Sequence, residues 1–336
     1  MAEYVTRAPI GLLPVLAFLA ALIYLDSFKL VSLRSVLLAI VVGGIAAAAS
    51  YPLNGVLLDA LSIGFVAYSR YVSPLVEETL KALILVYLIR TQRVALLVDA
   101  AIAGFAVGTG FALVENLYYL AMRPEAPLAV QVIRGFGTAI MHGGAAAMFA
   151  IVSVAIAEKR PERFAVVFVP GLLAAVVLHS AYNHLLFSPM AATLGILLAL
   201  PPSLFAAFQR SERSLREWLD ADLDSDIELL ELINSDGFPQ SNVGAYLQSL
   251  RGKFRGEVVA DMLCYLRLHV ELALRAKGVL LMRESGFETA VDEDTRASLA
   301  ELRYLERSIG RTGQLAIRPV LRMTSRDLWQ LYMLDT

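Results

Sequence analysis

Two adjacent glutamates and a lysine stand inside a run apolar enough to cross a membrane: Ser73-Pro-Leu-Val-Glu-Glu-Thr-Leu-Lys-Ala-Leu-Ile-Leu-Val-Tyr-Leu-Ile-Arg90. A carboxylate at that depth costs about 2.5–3.5 kcal/mol on insertion scales, so a charge is retained there only for a task. Helical spacing puts Lys81 one turn from both Glu77 and Glu78, within reach of an ion pair. The task is then either a structural ion pair between helices or a buried acid–base site. More polar groups interrupt other apolar runs: Glu115 with Asn116, His142, and His179 with Asn183. A carboxylate withheld from bulk water is a candidate general base. A neutral imidazole can position water, donate to an oxyanion or bind zinc.

The elements that must position these groups are membrane helices. The chain has 336 residues, 57% of them hydrophobic, and a mean hydropathy of +0.62, which excludes an ordinary soluble domain. Charge is segregated: residues 1–208 hold 12 Lys/Arg and 10 Asp/Glu, and residues 209–336 hold the other 17 and 21. The reading is all-α, a polytopic membrane helix bundle over 1–208 followed by a soluble all-helical domain over 209–336. Spans are predicted at about 9–26, 33–52, 73–90, 94–121, 129–157, 164–186 and 190–208, seven in all. Residues 56–69, with Asp59, read as a separate interfacial or re-entrant helix.

Seven spans place Lys29, Arg34, Arg90, Arg93, Lys159, Arg160, Arg163, Arg210, Arg213 and Arg216 on one side, and Arg7, Arg70, Arg123 and Arg134 on the other. The richer side is cytoplasmic by the positive-inside rule. The N-terminus is then outside and the C-terminal domain cytoplasmic, with the protein in the cell membrane. In that domain, helical stripes run through Leu215–Ile233, Val259–Leu274 and Leu299–Ile309, with a loop at 235–242 between the first two. Asp292-Glu-Asp294 stands where a helix start favours acids. The single cysteine, Cys264, excludes an intrachain disulfide. The near-neutral net charge of −2 argues against nucleic acid as a partner.

A fixed helical rise turns this topology into depth. At about 1.5 Å per residue, Glu77 lies about 20 Å from the cytoplasmic end of its span, and His142 and His179 about 22 Å from theirs. Three ionisable groups on three helices therefore share one level in the outer half of the bilayer. Asn183 is one turn beyond His179 on the same face. Glu115 and Asn116 fall near the outer edge, about 31–33 Å up. Asp99, near the cytoplasmic end, reads as a packing or folding residue, and His184 as a helix–helix hydrogen bond. Gly104, Gly108 and Gly110 in the fourth span are a signal for close helix packing.

Glu77-Glu-Thr-Leu-Lys81, Phe111-Ala-Leu-Val-Glu-Asn116, the histidine of Met141-His-Gly143, and His179-Ser-Ala-Tyr-Asn183 resemble, in order, the motifs of the PrsW family of intramembrane proteases. That family belongs with the type II CAAX prenyl endopeptidases and the abortive-infection membrane proteins. The likeness covers about residues 70–186. It implies hydrolysis of a peptide bond in a membrane-protein substrate, such as a single-pass anti-sigma factor cut on its extracytoplasmic side. Carried over from the CAAX relatives, Glu77 or Glu78 is the base and His142 orients the water. His179 and Asn183 face the oxyanion, with Lys81, Glu115 and Asn116 in support. The second motif departs from those relatives, which have histidine where this chain has Glu115-Asn116.

Zinc held by Glu78, His142 and His179 is the competing chemistry to metal-free glutamate catalysis; no H-E-x-x-H motif is present, so the ligands come from separate helices. Two other classes fit buried Glu, Lys and His. One is a proton- or ion-coupled transporter, which the lack of internal repeats disfavours. The other is a non-catalytic scaffold or receptor working through its C-terminal domain. The expected partners are a membrane-protein substrate and the lipid bilayer. Through residues 209–336 a second copy or a cytoplasmic protein is a further partner.

Overall fold

The computed structural model describes residues 2–159, 166–184, 188–287, 292–321 and 325–334. Of the basic residues used above to orient the chain, Arg160 and Arg163 lie outside these, as does the start of the span expected at 164–186. The described residues are helical, with no strand among them. Contacts divide the chain into two compact units, Met1–Glu212 and Arg213–Thr336.

The first unit opens with α1 (Ala2–Tyr24) and α2 (Leu33–Leu61). Ser32 caps α2 by accepting from the Ser35 amide. A short α3 (Phe65–Ala67) runs through a π-helical turn, Tyr68–Val72, into α4 (Ser73–Arg90). Next comes α5 (Leu97–Met122), then α6 (Leu128–Val132), which passes through a second π-helical turn, Ile133–Thr138, into α7 (Ala139–Lys159). α8 (Phe168–His184) and the first part of α9 (Pro189–Asn234) complete it.

Five described helices are long and apolar enough to cross a membrane by length and composition: Arg7–Leu25, Leu33–Leu61, Leu97–Met122, Leu128–Glu158 and Pro189–Asn234. The chain is a multi-pass membrane protein. The expectation of seven spans rested also on α4 and α8. α4 carries Glu77, Glu78, Lys81 and Arg90 in its 18 residues, and the described part of α8 is 17 residues long. These two helices hold most of the polar residues singled out above. The separate helix expected over 56–69 is not formed. α2 continues through Pro52 to Leu61, where Ser62 turns left-handed at φ 51°, and the next helix starts only at Phe65.

α5 is the centre of the unit. Every residue from Leu97 to Ala112 is buried, packed mainly against α7 and α2. Around it the outward residues are large and apolar, as lipid requires: Leu33, Leu37, Val41 and Ile45 of α2, and Leu173 and Val177 of α8, are exposed. Asp99 caps the start of α5, accepting from the Ala95 and Leu96 amides at 2.9 and 2.8 Å.

The glycines set how close α5 and α7 come. A Cβ on Gly104 would strike the Ala146 carbonyl, and one on Gly108 would strike the main chain of His142 and Gly143. Backbone cannot yield as a side-chain tip can. Gly108→Ala is therefore expected to lower stability by about 3 kcal/mol, the upper end of the usual overpacking range, and to displace His142. Gly195→Ala is the control, because nothing lies within 4 Å of that Cβ. Thermal unfolding in detergent checks both; a Gly108→Ala protein as stable as Gly195→Ala would show that the helices are not in contact there.

The second unit contains the rest of α9, a 3-10 turn at Phe238–Gln240, α10 (Asn242–Leu250), α11 (Gly256–Glu284), α12 (Glu293–Ile317) and α13 (Ser325–Leu334). The predicted stripes form its core: Met262, Leu266 and Val270 of α11 and Leu299, Leu302, Leu305 and Ile309 of α12 are buried. Asp292 caps α12 by accepting from the Thr295 amide at 2.7 Å. Buried Lys277 pairs with Asp226 at 2.5 Å and lies over the Trp218 ring. Burial and the Lys277 ammonium push the His269 imidazole down to about 4, so it is neutral at physiological pH.

Candidate functional site

The charged residues of α4 meet those of α5, α7 and α8 inside the first unit. Glu78, on the buried face of α4, accepts at one oxygen, Oε1, from Lys81 Nζ at 2.6 Å and from His179 Nδ1 at 2.7 Å. Lys81 is fully buried. Its ammonium also reaches His142 Nδ1 at 3.2 Å and lies 4.7 Å from the centre of the Phe111 ring. His142 Nε2 is 2.9 Å from Glu115 Oε2, and the two imidazoles meet edge to face, their centres 4.8 Å apart.

The partners assign the tautomers. Lysine only donates, so His142 Nδ1 accepts and its Nε2–H donates to Glu115. Glu78 only accepts, so His179 Nδ1–H donates to it. In the neutral ring that leaves His179 Nε2 with a free lone pair, 3.9 Å from Glu77 Oε2. The other Glu77 oxygen is occupied, accepting from Ser73 Oγ at 2.5 Å and Asn54 Nδ2 at 3.3 Å. Asn54 is in turn held by the Tyr68 hydroxyl at 2.8 Å. Glu77 thus presents one oxygen towards His179.

Glu77, His142, His179 and Glu115 line a cavity of about 980 Å³, bounded mainly by α2, α5 and α8 and by the two π-helical turns. Its wall is mostly apolar, with Phe65, Phe111, Tyr118 and Tyr119 among the lining residues. Glu78 and Lys81 do not reach it and act from behind.

Donor atoms of Glu77, His142 and His179 all lie within 4.8 Å of one another. The set fits a metal such as zinc, whose ligands sit about 2.0–2.2 Å from the ion. His179 Nε2 has its ring oriented by a carboxylate on the far nitrogen, the usual outer-shell arrangement for a ligating histidine. His142 becomes a third donor only if one ring nitrogen gives up its partner, Lys81 at Nδ1 or Glu115 at Nε2. The triple formed is not the Glu78–His142–His179 set expected from the sequence: Glu78 lies behind His179, and Glu77 faces the cavity.

Asn183 lines the cavity too, but its amide donates to the Ser69 carbonyl at 2.9 Å, and Ser180 Oγ donates to the Arg70 carbonyl at 2.5 Å. Both hold the π-helical turn that leads into α4, just ahead of Pro74, which has no N–H to offer these carbonyls. One N–H of the Asn183 amide is thus engaged by the main chain. Asn116 donates to the Gly11 carbonyl at 2.8 Å and the Arg134 carbonyl at 3.3 Å, a packing role. His184 turns back on the Ser180 carbonyl.

Sequence reasoning passed over Arg134, taking it for a flanking charge. It lies in the Leu128–Glu158 helical stretch and lines the cavity, with Nη2 3.3 Å from Glu115 Oε2. Its presence inside an apolar run was the signal available. Asn54 and Ser73, which fix Glu77, carried no signal.

A profile of the family described as "PrsW family intramembrane metalloprotease" matches residues 30–207, more than half of the chain. That stretch contains every residue of the site. No curated protein and no solved structure matches the chain.

Proposed function

This chain belongs to the PrsW family of intramembrane metalloproteases, and from that premise we propose that it hydrolyses a peptide bond of a membrane-protein substrate in the cavity beside α4, with Glu77 as the residue that meets the attacking water. The observation that carries this reading is the convergence of Glu77, His142 and His179 from three helices on one wall of that cavity.

The division of labour follows from the contacts. Glu77 has one oxygen engaged by Ser73 and Asn54 and one directed towards His179. It takes the proton of the water that attacks the amide carbon. Glu78 fixes the ring of His179, and its charge is already answered by Lys81, which makes it the poorer base. In the alternative with a metal, Glu77 would serve as a ligand rather than as the base, together with His179 and with His142 as third donor. When bound, zinc supplies a water acidified to about neutral pH. On the seven-span reading, the positive-inside count supports a site in the outer half of the bilayer. A single-pass protein cut on its extracytoplasmic side, in the manner of an anti-sigma factor, is the substrate class that fits. The two other classes raised by the sequence, a transporter and a scaffold, have no observation that favours them over hydrolysis.

The test is cleavage of a panel of single-pass reporters by the purified full-length protein in proteoliposomes, with products placed by mass spectrometry. Wild type is expected to cut at least one reporter on the side opposite residues 213–336. Cutting that persists in Glu77→Gln, or none by wild type, would overturn the reading. Loss of cleavage with a chelator and its return with zinc assigns the metal; cleavage unaffected by the chelator assigns glutamate alone.

A further inference from the structure

We infer that Arg134 is an oxyanion-stabilising residue of this site, a role that the family resemblance gives to His179 with Asn183. The inference rests on the hydrolytic reading above. Asn183 gives one amide N–H to the Ser69 carbonyl, whereas Arg134 brings a fixed positive charge to the same cavity.

Arg134 is held for such a purpose. It sits in the π-helical turn Ile133–Thr138, an element often found at functional sites. Three residues of α5 address it. Glu115 faces its guanidinium at 3.3 Å, Asn116 holds its main-chain carbonyl at 3.3 Å, and the Tyr119 ring lies 3.7 Å from its Cζ. A Cβ on neighbouring Gly135 would meet the Ile10 carbonyl, so α1 closes on the same turn. The backbone and the plane of the guanidinium are thus both fixed.

What is fixed still has donors to give. Arg134 Nε and Nη2 are buried and make no hydrogen bond among the described residues, since the contact with Glu115 is an ion pair without hydrogen-bond geometry. The side chain nevertheless lines the cavity that holds Glu77, His142 and His179. Glu115 Oε2 is shared between Arg134 and His142, which ties the guanidinium to the reactive cluster through one atom. A fixed cation with spare N–H groups beside a mostly apolar cavity is the arrangement that favours developing negative charge.

The step balances as an amide hydrolysis. The water oxygen bonds to the carbonyl carbon while its proton passes to Glu77. The carbonyl π pair moves onto oxygen, opposite Arg134. On collapse the C–N bond breaks, the nitrogen takes the proton from Glu77, and the products are a carboxylic acid and an amine.

The experiment compares wild type, Arg134→Gln, Arg134→Lys and Glu77→Gln on the reporter that wild type cuts. It also measures affinity for two probes: a phosphinate peptide isostere of the scissile bond, and the uncut substrate on Glu77→Gln with and without Arg134→Gln. Arg134→Gln is expected to lower kcat about 10²–10³-fold with KM changed less than about threefold, and to weaken phosphinate binding by the same factor as kcat/KM. Arg134→Lys, which keeps the charge and some donors, should recover part of kcat and covers the case in which the Gln variant misfolds. A raised KM with unchanged kcat, or unchanged phosphinate affinity, overturns the assignment. Unimpaired Arg134→Gln beside inactive Glu77→Gln sinks this inference alone. Active Glu77→Gln, or a wild type that cuts nothing, sinks the hydrolytic reading and this inference with it.

Discussion

Glu77→Gln should leave the protein folded and reduce turnover about 10³–10⁴-fold, the upper range for removing a positioned general base. The substitution keeps the size of the side chain and the acceptor oxygen that Ser73 and Asn54 engage. It replaces the oxygen that faces His179 Nε2 with an NH₂ that can neither take a proton nor bind a metal. Glu78→Gln is the informative contrast. Its Oε1 can still accept from His179 Nδ1 and Lys81 Nζ, so the ring of His179 stays oriented, and the loss should be about tenfold. Initial rates on one reporter, with thermal unfolding as the control for folding, check the pair. If Glu78→Gln proves dead and Glu77→Gln active, the two carboxylates have exchanged roles and the cavity-facing assignment is wrong.

That contrast also marks how far the sequence could be read. The shared depth of Glu77, His142 and His179 followed from a fixed helical rise and a charge count, and the structure brings those three together. Which of two adjacent glutamates turns to the cavity did not follow. It depends on the rotation of α4 about its axis, and that is set by the π-helical turn Tyr68–Val72, which leaves no mark in hydropathy. The same turn explains Asn183. One helical turn from His179 it does share that helix face, but the turn presents the Ser69 carbonyl to it. Arg134 was hidden by a counting habit: near the end of a span, an arginine reads as a topological charge. The length of α2 was missed because Pro52 and Gly55 invite a break, whereas the helix ends at the left-handed Ser62. The all-helical fold and the buried stripes of the second unit were legible, because each depends only on local periodicity.

Lys81→Met should be the most destabilising single change in the site, by about 3–5 kcal/mol, the cost of removing one partner of a buried ion pair. Lys81 has no exposed surface and Glu78 is 2% exposed, so among the described residues the carboxylate left behind keeps only His179 as a partner and gains no water. Adding Glu78→Gln to Lys81→Met removes the orphaned charge. The amide oxygen still accepts from His179 Nδ1, and methionine fills the lysine's space beside Phe111. The double variant is therefore expected to recover to within about 1 kcal/mol of wild type, because replacing both members of a buried pair is often close to neutral. The double-mutant cycle isolates the coupling between the two side chains. Turnover should not recover with stability: without Lys81, His142 Nδ1 loses its donor, and the ring is no longer held as the tautomer that donates to Glu115. Unfolding of all four proteins in the same detergent, with cleavage measured in parallel, reads both quantities. A Lys81→Met protein as stable as wild type would mean that the pair is solvated. A double variant regaining full turnover would mean that the lysine serves packing alone.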